Sequence, residues 1–327
     1  MKKTGYVTHP IFFQHDTGRG HPETARRLTA IEKHLFGQGA GESDDLKELR
    51  ERLTRLSLSP HPELSRWITE NHHPSYYRSL KDRVPEQGLV YLDPDTPYSP
   101  DSLVAAEMAV SGVLTAIDRV MDGSVVNAFC ALRPPGHHAE QDRAMGFCLF
   151  NNIAVGARYL QLKYGLKRIF IIDWDVHHGN GTQNSFYSDP SVFYFSTHQY
   201  PFYPGTGSDQ ERGEEKGEGF TVNSPLASGA GDLEIHSAFE KKLFPAVKAF
   251  DPDFILISSG FDAHTDDPLS GLEVTEKGFA ELTRGVKSLA EQNCHGRIVS
   301  CLEGGYHLHA LAMSVQSHLE VLSREIP

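Results

Sequence analysis

Residues 168–181 read RIFIIDWDVHHGNG, and the change of character in the middle of that stretch decides the fold. Arg168–Ile172 is a short run, apolar after its arginine. It is too short for a helix and lacks the alternation of a strand with one face in water, so it predicts a strand buried on both faces. Carboxylates and imidazoles follow it directly, with Gly179 and Gly181 to turn the chain. The same succession recurs along the sequence. Val125–Leu132 precedes RPPGHH (133–138), Phe254–Ser258 precedes GFDAH (260–264), Arg297–Leu302 precedes EGGY (303–306), and Val192–Thr197 is a further apolar run. Helical spacing separates these runs. Ser99-Pro100-Asp101 starts a helix with proline in its first turn, and Leu103, Ala106, Val110, Val113, Leu114, Ile117 and Met121 follow at intervals of three and four until Gly123. Further helices are expected over about 152–164, 233–250 and 276–291. Apolar strands separated by helices predict a parallel sheet covered on both faces. No linker-like shift in composition divides the chain, so residues 1–327 are expected to form one domain, with residues 35–90 as helices and loops flanking the mouth of a site.

The polar clusters all follow predicted strands, at the carboxyl edge where open α/β sheets bind ligands. Asp175 and His177 are two apart in an extended segment, so their side chains project to one side. Asp262 completes a three-ligand set with a position left for water. Two carboxylates and an imidazole suit zinc, but also iron or manganese. Any one of these residues alone reads more readily as a turn cap or a hydrogen-bonded core histidine; the ensemble reads as a metal centre. His137 and His138 sit on a turn shaped by Pro134, Pro135 and Gly136. One can serve as base and acid while the other orients or supplies charge. Asp173 faces the same way as Asp175 and is a natural acceptor for an imidazole. Tyr306 follows Gly304-Gly305, and its phenol aimed at a developing oxyanion would contribute about 2.7–4 kcal/mol.

Charge and cysteine usage narrow the classes. Asp and Glu number 43 against 31 Lys and Arg, a net charge of −12, which argues against a nucleic-acid surface and suits either a cationic partner or plain solubility. Cys130, Cys148, Cys294 and Cys301 contain no CxxC pair and read as buried thiols in a reducing compartment. Nothing after Met1-Lys2-Lys3 has the length of a signal peptide, and no run approaches ~18 apolar residues, so a cytoplasmic protein without a membrane partner is expected.

In order along the chain, HPETARRL (21–28), RPPGHHAE (133–140), GFCLFNN (146–152), DWDVHHGNGTQ (173–183), YPGTG (203–207), GFDAH (260–264) and LEGGY (302–306) resemble the motifs of the zinc-dependent histone deacetylases. That family includes bacterial deacetylase-like amidohydrolases, acetylpolyamine amidohydrolases and acetoin-utilisation proteins. The resemblance implies an arginase-like α/β/α fold with an eight-stranded parallel sheet. By motif, Asp175, His177 and Asp262 resemble the zinc ligands, Tyr306 the transition-state tyrosine, His138 the general base and acid, and His137 its electrostatic partner, backed by Asp173. Asn180 stands where class I members have Asp, as in class II, and gives His138 a neutral partner. Gly146, Phe147, Tyr203, Leu269, Asp95 and Gly304 would bound an acyl-lysine tunnel. Tyr203 replaces a usual Phe with Phe202 beside it, and Leu269 stands where a Glu would resemble polyamine-selective members. Arg27 resembles an arginine lining an acetate-release channel. Potassium is also implied: an inner ion at Asp173, Asp175, His177, Ser196 and Thr197, and an outer one at Phe186, Asp189, Val192 and Phe220.

The implied activity is removal of acetyl or another short acyl group from lysine in a protein or peptide, with a homo-oligomer left open. The nearest alternative is an acetylpolyamine deacetylase acting on small acetylated amines. A binuclear ureohydrolase would need a DxD pair where GFDAH has Ala263-His264. A non-catalytic acyl-lysine binder would not need every reactive position filled.

Overall fold

The computed structural model describes residues 3–37 and 43–324. Every apolar run identified above forms a strand, and four of these strands are buried along their whole length, because helices cover both faces of the sheet, with only Gln199 at the end of the fifth less than buried. Strands β1 (Thr4–Val7), β2 (Leu53–Arg55), β5 (Asn127–Cys130), β6 (Ile169–Asp173), β7 (Val192–Gln199), β8 (Thr221–Leu226), β9 (Phe254–Ser259) and β10 (Ile298–Leu302) form one eight-stranded sheet. Its order is β2-β1-β5-β10-β9-β6-β7-β8, and every neighbouring pair is parallel. A separate antiparallel hairpin, β3 (Val90–Asp93) with β4 (Thr96–Tyr98), turns at Pro94-Asp95.

Helices α5 (Ser102–Met121) and α6 (Asn152–Tyr164) pack on each other and on the central strands. Helices α1 (Arg26–Phe36), α10 (Glu276–Cys294) and α11 (Leu308–Ser323) pack together as the second helical layer. This is the arginase/deacetylase-like α/β/α arrangement. Among the described residues, no helix is long and apolar enough to cross a membrane.

Three segments depart from the sequence reading, each for a local reason. The helix expected over 233–250 is two helices, α8 (Asp232–Ala238) and α9 (Phe244–Phe250), joined by a wider π turn at Phe239–Leu243. Pro245, in the first turn of α9, lacks the N–H that an uninterrupted α-helix would use there. Strand β8 carries Pro225 and polar residues and pairs only with β7, an edge position where a missing N–H costs no ladder bond. Within residues 35–90, Leu53–Arg55 is the opposite edge strand; residues 38–42 of that range lie outside the described residues.

The register explains why chemistry collects at one edge. Asp173, the last residue of β6, lies opposite Ser196 of β7 and Ser258 of β9, Leu302 lies opposite Ser259, and Cys301 opposite Cys130. Four neighbouring strands therefore end together, and the segments after them enter the same volume.

Candidate metal centre

Asp175, His177 and Asp262 each offer a ligand atom, and these atoms lie within 4.8 Å of one another. His177 Nδ1 is 3.1 Å from Asp175 Oδ1 and 3.2 Å from Asp262 Oδ2. Backbone amides hold the carboxylates: the N–H of Gly304 donates to Asp175 Oδ2 at 2.8 Å, and that of Val176 to Asp262 Oδ1 at 2.9 Å. Asp262 Oδ2 is buried and has no hydrogen-bond partner. Burial, then repulsion from Asp175, pushes the Asp262 carboxyl up to about 7. Two buried carboxylates facing each other, one with a spare oxygen, fit a divalent cation. Gly304 makes room for the cluster, since a Cβ there would fall 1.9 Å from Asp262 Oδ2 and 2.7 Å from Asp175 Oδ2.

The histidine pair lies beside this cluster, its rings 4.0 Å apart. His137 Nδ1 is 3.1 Å from Asp173 Oδ2. Burial opposes its charge, but Asp175 and Asp173 prevail and raise it to about 10, which favours the charged imidazolium. Burial, then the neighbouring imidazoles of His137 and His177, push His138 well below the ordinary histidine value. The orientation of Asn180 fixes the tautomer of His138. Asn180 Nδ2 donates to Glu140 Oε1 at 2.5 Å, and a carboxylate only accepts, so Asn180 Oδ1 faces His138 Nδ1 at 2.8 Å. The proton of His138 sits on Nδ1, leaving Nε2 as a free base.

A pocket of about 100 Å³ opens on these groups. Asp95, Pro135, His137, His138, Gly146, Phe147, His177, Tyr203, Leu269, Gly304 and Tyr306 line it, so the structure brings together every residue expected at the tunnel. Among the described residues of 35–90, none lines this pocket. His72 and Tyr76 of that stretch instead bond the carbonyls of Glu140 and Leu149 from behind. The ring of Phe202 stacks on His177 at 5.4 Å, and Tyr203 meets His138 edge to face at 5.2 Å. Burial, then the charge of Asp262, pushes the Tyr306 phenol well up, so it stays protonated and able to donate.

Arg27 lies behind the pocket. Its guanidinium is 5.0 Å from the Tyr306 ring, donates to Gly305 O at 2.6 Å and to Glu303 O, and so braces the turn that carries Tyr306. Asp95 is at the mouth, with Thr96 Oγ1 donating to its carboxylate at 2.9 Å and His21 Nε2 3.2 Å from its carbonyl.

Of the residues expected around potassium, Asp173 accepts from Asp175 N and Tyr194 Oη, both at 3.1 Å, Ser196 Oγ is 2.8 Å from His198 Nδ1, and Thr197 Oγ1 is buried without a partner. In the outer set the carbonyls of Phe186, Asp189 and Phe220 accept N–H groups of Asp189, Val192 and Tyr194. Arg158 is 2.6 Å from the Asp189 carboxylate and lies over the Phe186 ring.

Three supporting carboxylates were given no role by sequence reasoning. Glu303 accepts N–H groups of Gly136 at 2.6 Å and His137 at 3.2 Å, and burial pushes it up to about 7. Asp267 accepts from Tyr306 N at 2.6 Å and Leu269 N at 3.0 Å, tying the pocket's tyrosine to its rim. Glu23 bonds Arg133 and Arg27. Glu303 and Glu23 stand inside the quoted motifs LEGGY and HPETARRL, which was the available signal; Asp267 carried none.

A family model described as the histone deacetylase domain matches residues 21–322. A probable deacetylase of Archaeoglobus fulgidus is 39% identical over 93% of this chain and 81% of its own length. The chloroplastic histone deacetylase 14 of Arabidopsis thaliana is also 39% identical, over 93% of this chain and 73% of its own. The crystal structure of the HD domain of HDA15 superposes with a TM-score of 0.89 at 34% identity, covering 98% of this chain and 88% of that one.

Proposed function

This chain belongs to the histone deacetylase family, and from that premise we propose that it hydrolyses the amide of ε-N-acyl-lysine, acetyl or another short acyl, in a protein or peptide. Asp175, His177 and Asp262 would hold a zinc ion. When bound there, zinc lowers the pKa of water to about 7 and polarises a carbonyl. His138 Nε2, the free base of its tautomer, takes the proton of the attacking water. Tyr306 donates its phenol hydrogen to the oxyanion as the tetrahedral intermediate forms. The His137 imidazolium, held charged by Asp173, stabilises that negative charge alongside it. The proton on His138 then passes to the leaving lysine amine as the C–N bond breaks, giving lysine and a carboxylate. Phe147 and Tyr203 clasp the lysine stem and exclude water, and Leu269 and Asp95 meet the substrate at the rim.

One observation carries the proposal: an Asp262 oxygen without a hydrogen bond lies in a cluster of ligand atoms on which the same small pocket's histidine pair and phenol converge. An inner potassium ion at Asp173, Asp175, His177, Ser196 and Thr197 belongs to the proposal and draws support from the orphaned Thr197 hydroxyl. An outer potassium ion at Phe186, Asp189, Val192 and Phe220, mostly through carbonyls, belongs to the proposal too, with Arg158 2.6 Å from the Asp189 carboxylate beside it.

An acetylpolyamine substrate is the second reading. The carboxylate of Asp95 on the pocket lining, with Asp93 two residues before it on the same hairpin, favours it. Leu269 at the rim opposes it. Side-by-side turnover of an acetyl-lysine peptide and acetylputrescine tests the choice; faster cleavage of the peptide is expected, and peptide cleavage absent beside rapid acetylputrescine cleavage would overturn it.

A further inference from the structure

His178, the second histidine of DVHH, has no task in the chemistry above, yet it is fully buried. The loop 202–208 runs past both histidines: Phe202 stacks on His177, and Thr206 Oγ1 lies 2.7 Å from His178 Nδ1. The donors and acceptors behind that loop can be assigned in order. Glu211 Oε1 accepts the N–H of Gly207 at 2.8 Å and of Ser208 at 2.9 Å, and Glu211 Oε2 accepts from Gln183 Nε2 at 2.7 Å. A carboxylate only accepts, so the Gln183 amide nitrogen must face Glu211 and its oxygen must face the other way. That oxygen accepts from Asn223 Nδ2 at 2.7 Å and lies 3.0 Å from His178 Nε2. His178 therefore carries its hydrogen on Nε2, and its bare Nδ1 accepts the hydroxyl hydrogen of Thr206.

The hydrogen bonds thus form a closed ring that leaves the loop at Thr206, passes through His178, Gln183 and Glu211, and returns at Gly207 and Ser208. The loop is pressed hard onto its support. Gly207 has φ +94°, and a Cβ there would fall 2.4 Å from His198 Nε2 and 2.6 Å from His178 Cγ, so no larger residue fits. Just before this anchored end stands Tyr203, a wall of the pocket.

We propose that His178, Gln183 and Glu211 are positioning residues whose ring holds the Phe202–Ser208 loop in place and so sets how tightly the pocket grips the acyl-lysine stem. The proposal rests on the acyl-lysine reading and adds a specificity determinant to it. Opening the ring lets Tyr203 move outward, which weakens binding and admits longer acyl groups. His138, Tyr306 and the metal ligands keep their places.

The test compares wild type with Glu211→Ala, Glu211→Gln, Thr206→Val and the exchange pair Gln183→Glu with Glu211→Gln. Kinetics are read on acetyl- and butyryl-lysine peptides, and amide hydrogen exchange at Gly207 and Ser208. In Glu211→Ala, KM for the acetyl peptide is expected to rise about tenfold with kcat within about threefold, butyryl cleavage to gain relative to acetyl, and the two amides to exchange about tenfold faster. Glu211→Gln sets two amide nitrogens against each other. The exchange pair restores an acceptor opposite each donor and is expected to recover wild-type KM and selectivity, an outcome that loss of bulk or charge alone would not produce. Thr206→Val keeps the loop's shape, removes one bond of the ring and is expected to move KM the same way by less. Unchanged exchange at Gly207 and Ser208 in Glu211→Ala, or an exchange pair no better than Glu211→Gln, overturns the proposal. A wild-type enzyme inert on both peptides would instead overturn the acyl-lysine reading, and the exchange rates would then decide on their own whether the ring holds the loop.

Discussion

Two buried clusters of charge lie on either side of Tyr306, and they differ in how their charges are met. Behind the phenol, Glu23 accepts from Arg133 Nε at 2.5 Å, from Arg133 Nη2 at 2.8 Å and from Arg27 Nη1 at 3.2 Å, while four further guanidinium hydrogens reach the carbonyls of Phe12, His15, Gly305 and Glu303. Burial opposes ionisation of Glu23, but Arg133 and Arg27 prevail and hold it down at about 2. In front of the phenol, Asp175 and Asp262 share one imidazole between them, and an Asp262 oxygen has no hydrogen-bond partner. The rear cluster is complete within the chain and braces the turn. The front cluster leaves an Asp262 oxygen without a hydrogen bond, and in the proposed function a bound cation would complete it.

The contrast is sharpest in activity. Asp262→Asn removes a ligand and the repulsion together, so turnover is expected to be lost while the metal-free variant melts no lower than metal-free wild type; calorimetry on both, each stripped with chelator, checks the sign. Tyr306→Phe keeps the pocket's shape but removes the donor to the oxyanion, and kcat should fall about 10²–10³-fold with little change in KM.

The rear cluster should answer in stability. Glu23→Gln leaves two guanidinium groups without their carboxylate, and a loss of about 3–5 kcal/mol is expected from chemical denaturation. A variant as stable as wild type would show that the backbone carbonyls alone satisfy Arg27 and Arg133. The smallest effect concerns pH. Burial holds His15 down at about 4, so the unfolded chain takes up its proton first and the stability due to neutral His15 declines as pH falls from ~6.5 to about 4. The stability due to ionised Glu23 is present above ~4.5 and is lost as pH falls towards about 2. Denaturation midpoints for Glu23→Gln should therefore lack the lower of these declines, and equal slopes in both proteins below pH ~4.5 would contradict the assignment.

The sheet was legible because strands buried on both faces are apolar throughout, as in Ile169–Ile172 and Phe254–Ile257, and because the polar motifs follow them directly. Edge strands gave no such signal. Leu53–Arg55 is three residues long, and Thr221–Leu226 contains Pro225. His137, His138, His177, Gly304 and Tyr306 are legible because they stand in short motifs just after strands, and Gly146, Phe147, Tyr203, Leu269 and Asp95 only through the family resemblance, whereas Asp267 and Glu211 act through hydrogen bonds to backbone amides distant in sequence or on a loop, which no local pattern records. The same limit applied to Glu140. Asn180 predicted a neutral partner for His138, but only the fold shows the carboxylate that orients its amide.

Metal content per chain tests the unbalanced front cluster most directly. After dialysis against zinc, elemental analysis should find one zinc per wild-type chain at Asp175, His177 and Asp262, and none in Asp262→Asn. Equal zinc in the two proteins, or two zinc ions per wild-type chain that both depend on Asp262, would contradict the account.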